Sequence, residues 1–207
     1  DPQGFLGEYG PPVAERRHPN FRINESGCMW CGASWPYATS QTLAALANLL
    51  NNYKQEVIGP QEYFNTLKAY ARSNKHIMND GTAVSWIDES LNPDTGKWII
   101  NWQNQGDRFP NTRGCHYNHS TFCDLVITGL VGLRPREDDL IEVHPLVPED
   151  TWEWFCLDNV LYHGRILTIL WDLTGRKYGL GPGLKLLVDG KEMAGSKTLN
   201  KITAYLE

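Results

Sequence analysis

Two adjacent carboxylates, Asp88 and Glu89, stand between two indoles in the run Trp86-Ile87-Asp88-Glu89-Ser90-Leu91-Asn92-Pro93-Asp94-Thr95-Gly96-Lys97-Trp98. On an extended backbone, neighbouring side chains project to opposite faces, so only one of the two can enter a given pocket. Asn92 through Gly96 is turn chemistry: asparagine and aspartate bond their own backbone, proline presets φ and glycine frees it. Such a turn would fix the loop that carries the carboxylate. A solvated acidic pair in a polar loop accounts for the same residues, and on composition alone it is the plainer reading. The aromatic content nevertheless suggests sugar handling, with 8 Trp, 9 Tyr and 6 Phe among 207 residues. Indole faces pack on the apolar C–H faces of pyranose rings while carboxylates and amides bond the hydroxyls. Trp30 and Trp35 could floor a sugar subsite in this way, or simply be core.

The thiols point elsewhere. Cys28, Cys31, Cys115, Cys123 and Cys156 are odd in number and sparse, which argues against a disulfide framework. Cys28-Met29-Trp30-Cys31 has zinc or redox spacing, but Cys115, His116, His119 and Cys123 do not form the second ligand pair that a zinc site wants. The expectation is buried free thiols, no Cys28–Cys31 bridge, no metal and no cofactor. Arg16, Arg17 and His18 could line a cleft but read as solvated, as does the Asp138-Asp139 pair. Gly179 to Gly183 lacks the following helix that a phosphate cradle needs.

The elements that must position these residues follow from the pattern. Breakers crowd the first 36 residues, which read as an ordered loop. Thr39 or Ser40 can cap a helix over about 39–53, with Leu43, Leu46, Ala47 and Leu50 on one face. Gly59-Pro60 starts a second, carrying Tyr63, Leu67, Tyr70 and Ala71 on a stripe; a short connector makes the two an antiparallel hairpin. Residues 79–114 show no sustained period, a length of irregular chain that is usually functional. A third helix is expected over about 119–132. After Arg134-Pro135-Arg136 the period turns to two. Ile141 to His144 alternates, Leu161 to Trp171 reads as one long strand broken at His163-Gly164, and Asp189-Gly190 joins two strands as a hairpin. The expected fold class is α+β, with helical hairpins over 1–136 and an antiparallel β module over 137–207.

Composition bounds the function. The length allows one large domain or two small ones at roughly 100–200 residues each. The net charge of -5 without charge blocks disfavours a nucleic-acid partner. Hydrophobic residues at 41% against 21% charged describe a chain that folds. No apolar run approaches the roughly 18 residues that span a bilayer, and Asp1-Pro2-Gln3-Gly4 carries no basic-then-apolar leader, so a soluble chain with no membrane partner is expected.

Trp30-Cys31-Gly32-Ala33-Ser34-Trp35-Pro36, followed by Tyr37-Ala38-Thr39-Ser40-Gln41-Thr42-Leu43, resembles the Trp-x-Gly-x-x-Trp-Pro entry to a late barrel helix of the six-hairpin glycosidases. The likeness is greatest to the branch of mannosyl-oligosaccharide glucosidases, mannosylglycerate hydrolase and trehalase. Glu89 through Gly96 resembles that branch's Glu-x-x-x-Pro-x-Thr-Gly. Tyr117-Asn118-His119-Ser120, Gly132-Leu133-Arg134-Pro135 and Val143-His144-Pro145-Leu146-Val147-Pro148 resemble its last barrel helix and the passage into a C-terminal β module. Cys31 stands where relatives usually have Asn, and Ala33 where they have Pro.

The resemblance implies a partial (α/α)6 toroid before the β module and an oligosaccharide substrate. It implies that Glu89 is the general base of an inverting mechanism, with Trp30, Trp35, Trp86, Tyr117 and His119 around the sugar. Inverting hydrolysis needs an ionised carboxylate beneath the anomeric carbon and a protonated one above the glycosidic oxygen. The family's acid comes from an earlier part of the barrel. Three helices precede residue 136 here where a six-hairpin barrel has twelve, and the missing hairpins need well over roughly 100 residues. The chain is therefore expected to be the C-terminal part of a larger enzyme, inactive alone, with upstream residues completing the barrel, and to work in the periplasm or outside the cell. The alternative is a non-catalytic carbohydrate-binding module with Trp30, Trp35 and Trp98 as its platform; a phosphorylase on the same scaffold would need a phosphate site that the sequence does not show.

Overall fold

Proline at a helix's first position costs nothing, because the amide it lacks has no partner there. Both long helices use this. In a computed structural model, which describes residues 1–23, 30–99 and 119–206, α1 runs Pro36–Asn52 and α2 runs Pro60–Ser73. Thr39 and Ser40 are therefore not caps but buried first-turn residues. The Ser40 hydroxyl bonds back to the Pro36 carbonyl at 2.9 Å. The α2 N-terminus is closed by Glu62, whose side chain accepts the Gly59 amide at 2.7 Å, the returning half of a capping box.

The chain packs as two units, residues 1–45 with 65–122 and residues 46–64 with 123–207. In the first, Leu43, Leu67 and Tyr70 are buried from the two helices. Behind α2 a two-stranded hairpin pairs β1 (Lys75–Ile77) with β2 (Ala83–Ser85), in the register His76 to Val84. This hairpin lies partly in the stretch expected to be irregular: Asp80 accepts the Thr82 amide at 2.8 Å and Gly81 adopts φ 86°, a turn made from local chemistry. The rest of 86–99 is loop, held as described below.

The third helix is α-helical only over α3 (His119–Asp124), and then widens, within the second unit, to a π-helix over Leu125–Leu130. The Tyr63 hydroxyl donates to the Leu125 carbonyl at 2.8 Å, and an added Cβ on Gly129 would lie 1.9 Å from the same hydroxyl. The inserted phenol gives that carbonyl a partner outside the helix, and glycine leaves it room. Burial pushes the Tyr63 phenol well above its ordinary range.

Two antiparallel sheets follow. One has the order β3 (Leu133–Arg134), β4 (Leu140–Val143), β9 (Ile202–Tyr205); the other runs β5 (Trp154–Tyr162), β6 (Arg165–Asp172), β7 (Gly183–Val188), β8 (Lys191–Ser196). The strand expected across Leu161 to Trp171 is two strands. His163 and Gly164 both take positive φ, 48° and 76°, and reverse the chain. Asp189 and Gly190 repeat the device at 48° and 81°. Both pairs have the backbone of the primed turns that match strand twist. Leu167, Ile169, Leu184 and Leu186 are wholly buried along β6 and β7.

Candidate active site

Single antiparallel bridges join Pro12 to Ser34, Ser34 to Leu91, and Leu91 to Trp98. Ser34 and Leu91 exchange both backbone hydrogen bonds at 2.9 Å, and the Ile99 amide donates to the Ser90 carbonyl at 2.9 Å. This small ladder sets the Trp30–Pro36 segment beside the loop that carries Asp88 and Glu89. Ala33, Trp35 and Ile99 form its buried cluster, with Val13, Ile23 and Ala38 packed against it.

The turn beyond Glu89 forms as its sequence dictates. The Asn92 side chain accepts the Asp94 amide at 2.9 Å and the Thr95 amide at 3.2 Å, and Gly96 takes φ 71°. The N-terminal loop then grips it. Tyr9 donates its amide to the Pro93 carbonyl at 2.9 Å. Arg16 forms a two-pronged ion pair with Asp94, Nη1 to Oδ2 at 3.1 Å and Nη2 to Oδ1, and its Nε donates to the Leu6 carbonyl at 3.0 Å. Arg16 is thus not solvated, as its sequence context suggested, but a clamp on the turn. Arg17 is the exposed partner of Asp1 and Glu15. Nothing local in the sequence signals a pair separated by 78 residues.

The two carboxylates differ in exposure. From Trp86 to Leu91 every residue is buried except Glu89, which is half-buried. Asp88 is completely inaccessible, so the solvated acidic pair is ruled out for it. Its Oδ1 accepts the Glu89 amide at 2.8 Å. Its Oδ2 has no partner within hydrogen-bond distance among the described residues. Burial pushes its carboxyl up to about 6, with the Glu89 amide and a weaker pull from the Trp86 indole acting in the opposite direction and the nearby Glu89 charge adding to the rise.

Trp30 lies 4.3 Å from Trp35, ring centroid to centroid, at 19° between planes. Trp30 is 52% exposed and Trp35 is buried, so the pair offers one indole to solvent, backed by the other. Trp86 is buried, with the His76 ring 5.7 Å away. Trp98 is buried too, its indole donating to the Lys75 carbonyl at 2.8 Å, which takes it out of any exposed platform. Tyr117 lies outside the described residues, as do Cys28 and Cys115; His119 opens α3, its side chain also outside the description. The other thiols are free but not buried: Cys31 is half-buried, and Cys123 and Cys156 are exposed.

The pinned loop, with one solvent-reaching carboxylate beside a stacked indole pair, is the candidate site. Residues 1–120 match the family described as mannosylglycerate hydrolase MGH1-like glycoside hydrolase domain, and the chain belongs to that family. Residues 133–194 match the C-terminal domain of glycosyl hydrolase family 65. The chain is also similar to a solved structure named sialidase, at 49% identity and a TM-score of 0.88, over 99% of this chain and 18% of that one. It therefore spans less than a fifth of that relative's length.

Proposed function

We propose that this glycosidase-type chain supplies the general base of an inverting glycoside hydrolase acting on an oligosaccharide, and that Glu89 is that base. The observation that carries the reading is the exposure pattern of the loop: a single carboxylate reaches solvent from an otherwise buried, doubly pinned segment of a glycoside hydrolase domain. A base must lie within reach of its water, and a half-buried glutamate on a fixed loop can do so. Trp30, backed by Trp35, stacks on a sugar ring. Trp86 walls the loop, and Tyr117 and His119 are the further residues we assign to the same sugar.

The general acid is absent from this chain and comes from a longer protein, whose upstream helices complete a toroid of which residues 1–136 are the last hairpins and 137–207 the terminal β module. The match to only 18% of a longer relative supports that arrangement. Among the described residues no helix is long and apolar enough to cross a membrane; the periplasm or the cell exterior is the compartment we assign. The test uses the full-length protein with oligosaccharides and aryl glycosides. Glu89→Gln is expected to lower turnover by about 100- to 10,000-fold, and proton NMR of the first product is expected to show the anomer opposite to the substrate's. A retained anomer, or an active Glu89→Gln enzyme, overturns the reading.

A further inference from the structure

We propose that Asp88 is the positioning residue of Glu89: its buried carboxyl oxygen anchors the Glu89 main chain so that the Glu89 side chain alone turns out of the loop. The inference rests on Glu89 being the base.

The geometry carries it. On the C-terminal side, Glu89 is followed by Ser90, whose carbonyl takes the Ile99 amide, and Leu91, which is bonded to Ser34 in both directions. The ladder thus fixes the chain just after Glu89. On the N-terminal side Trp86 is tied to Asn74, its amide donating to that carbonyl at 3.3 Å. Between these anchors the Glu89 amide is held by the Asp88 Oδ1, at 2.8 Å. Without that oxygen this amide would lose the partner it has here, at a place where the chain on both sides is buried.

The choice of residue is unfavourable for stability alone. A carboxyl taken wholly out of water with one accepted backbone bond is a poor stabiliser, and a buried polar atom left unpaired calls for an explanation. A short side chain with an oxygen one carbon from Cβ is nonetheless what can reach the next residue's amide. Asparagine shares that reach; alanine and leucine do not.

The experiment compares Asp88→Asn, Asp88→Ala and Asp88→Leu in the full-length protein, the leucine variant filling the volume without an acceptor. Hydrogen–deuterium exchange of the peptide spanning residues 87–92 reads the anchor, independently of any substrate. Turnover of 4-nitrophenyl glucoside or mannoside reads its consequence. Asp88→Asn is expected to exchange like the wild type and to keep kcat within a few-fold. Asp88→Ala and Asp88→Leu are expected to exchange roughly tenfold faster there, and to lose about 10- to 100-fold in kcat with KM little changed, because a displaced base weakens chemistry more than binding. Unchanged exchange in both apolar variants overturns the proposal, as does an asparagine variant as impaired as alanine. Failure of both apolar variants to fold, beside a fully active asparagine variant, would make the role one of folding and also overturn it. If exchange rises as expected while Glu89→Gln remains active, the anchor stands and the assignment of the base falls instead.

Discussion

Each unit of the molecule buries an aspartate, and they are treated in opposite ways. In the β unit, Asp172 at the end of β6 is 1% exposed and accepts the amides of Gly175 at 2.8 Å, Tyr178 at 3.0 Å and Thr174 at 3.2 Å. Burial pushes its carboxyl up, but those amides together outweigh it and hold the group below the usual carboxylate range. In the helical unit Asp88 has one amide, and burial wins. The contrast extends to other side chains. Among the described residues, Ser34 Oγ, Trp35 Nε1, Asn74 Oδ1 and Asp88 Oδ2 are buried without partners, and all belong to the helical unit. The β unit satisfies its interior as a scaffold does. The helical unit keeps unpaired polar atoms around the loop that bears Glu89, the pattern of a site whose groups are arranged for something other than stability.

The largest break in this contrast comes from Glu89. With Glu89 as the proposed base, Glu89→Gln in the full-length protein keeps the volume and loses the base, so kcat should fall by about 100- to 10,000-fold while sugar binding persists in a titration with unreacted oligosaccharide. The isolated 207-residue chain should show no turnover of aryl glycosides at all. Activity in that chain that disappears with Glu89→Gln would place both catalytic groups within it.

A stability change of comparable weight is expected in the scaffold. Gly129→Ala would force its methyl against the Tyr63 hydroxyl that bonds the Leu125 carbonyl. Overpacking of this kind costs about 1–3 kcal/mol, read as a lower melting temperature. Combining it with Tyr63→Phe should recover part of the loss, since the clashing oxygen is gone, although Leu125 then loses its partner. A double variant less stable than the sum of the singles would mean that the π-helix does not depend on this contact.

These elements divide by how local their causes are. The Asp189-Gly190 turn, the Gly59-Pro60 helix start and the Asn92 turn are written in neighbouring residues, and the sequence pattern places all three. The different exposure of Asp88 and Glu89 does not follow from alternation, because Trp86 to Ile87 and Ser90 to Leu91 are buried on both sides of the pair and Glu89 lies at a bend. Nor is the π-helix written locally, because its cause is Tyr63, 62 residues before Leu125. His163-Gly164 is legible as a break but not as a reversal, since a broken strand and a hairpin share one alternating pattern until the φ angles are known. The complete burial of Asp88 is not legible either, because a buried and a solvated acidic residue in a polar loop share one local sequence.

The two aspartates should also separate by pH. A carboxyl raised to about 6 binds its proton in the folded state before the unfolded one does. Stability linked to Asp88 is therefore lost as pH rises from about 4 through 6, a penalty at neutral pH of order 2–3 kcal/mol. Asp88→Asn should remove it, raising the melting temperature at pH 7 and leaving it little changed at pH 4. Asp172 has the opposite sign: its contribution is present above the ordinary carboxylate range and lost as pH falls through its lowered value. Asp172→Asn should therefore destabilise at pH 7 and converge on the wild type in acid. The same pH trend in both variants would erase the distinction between the units.

The smallest effect sharpens the comparison most, because it touches the site without touching its chemistry. The Arg16 side chain is 18% exposed and Asp94 51%, and surface pairs of this kind are worth only about 0.2–1 kcal/mol. Lysine keeps the charge of Arg16 but cannot hold both carboxylate oxygens, nor bond the Leu6 carbonyl at the same time. Arg16→Lys should therefore lower melting by a degree or two at most. Its effect on the loop is expected to be larger in proportion. The clamp, four residues after the ladder residue Pro12, joins the N-terminal segment to the turn that directly follows Leu91, the residue bonded to Ser34. Exchange of residues 92–97 should quicken while that of β6 and β7 stays fixed, and kcat should fall a few-fold. Equal quickening in the β strands would show that the pair stabilises the whole molecule, and that the loop carrying Glu89 needs no clamp of its own.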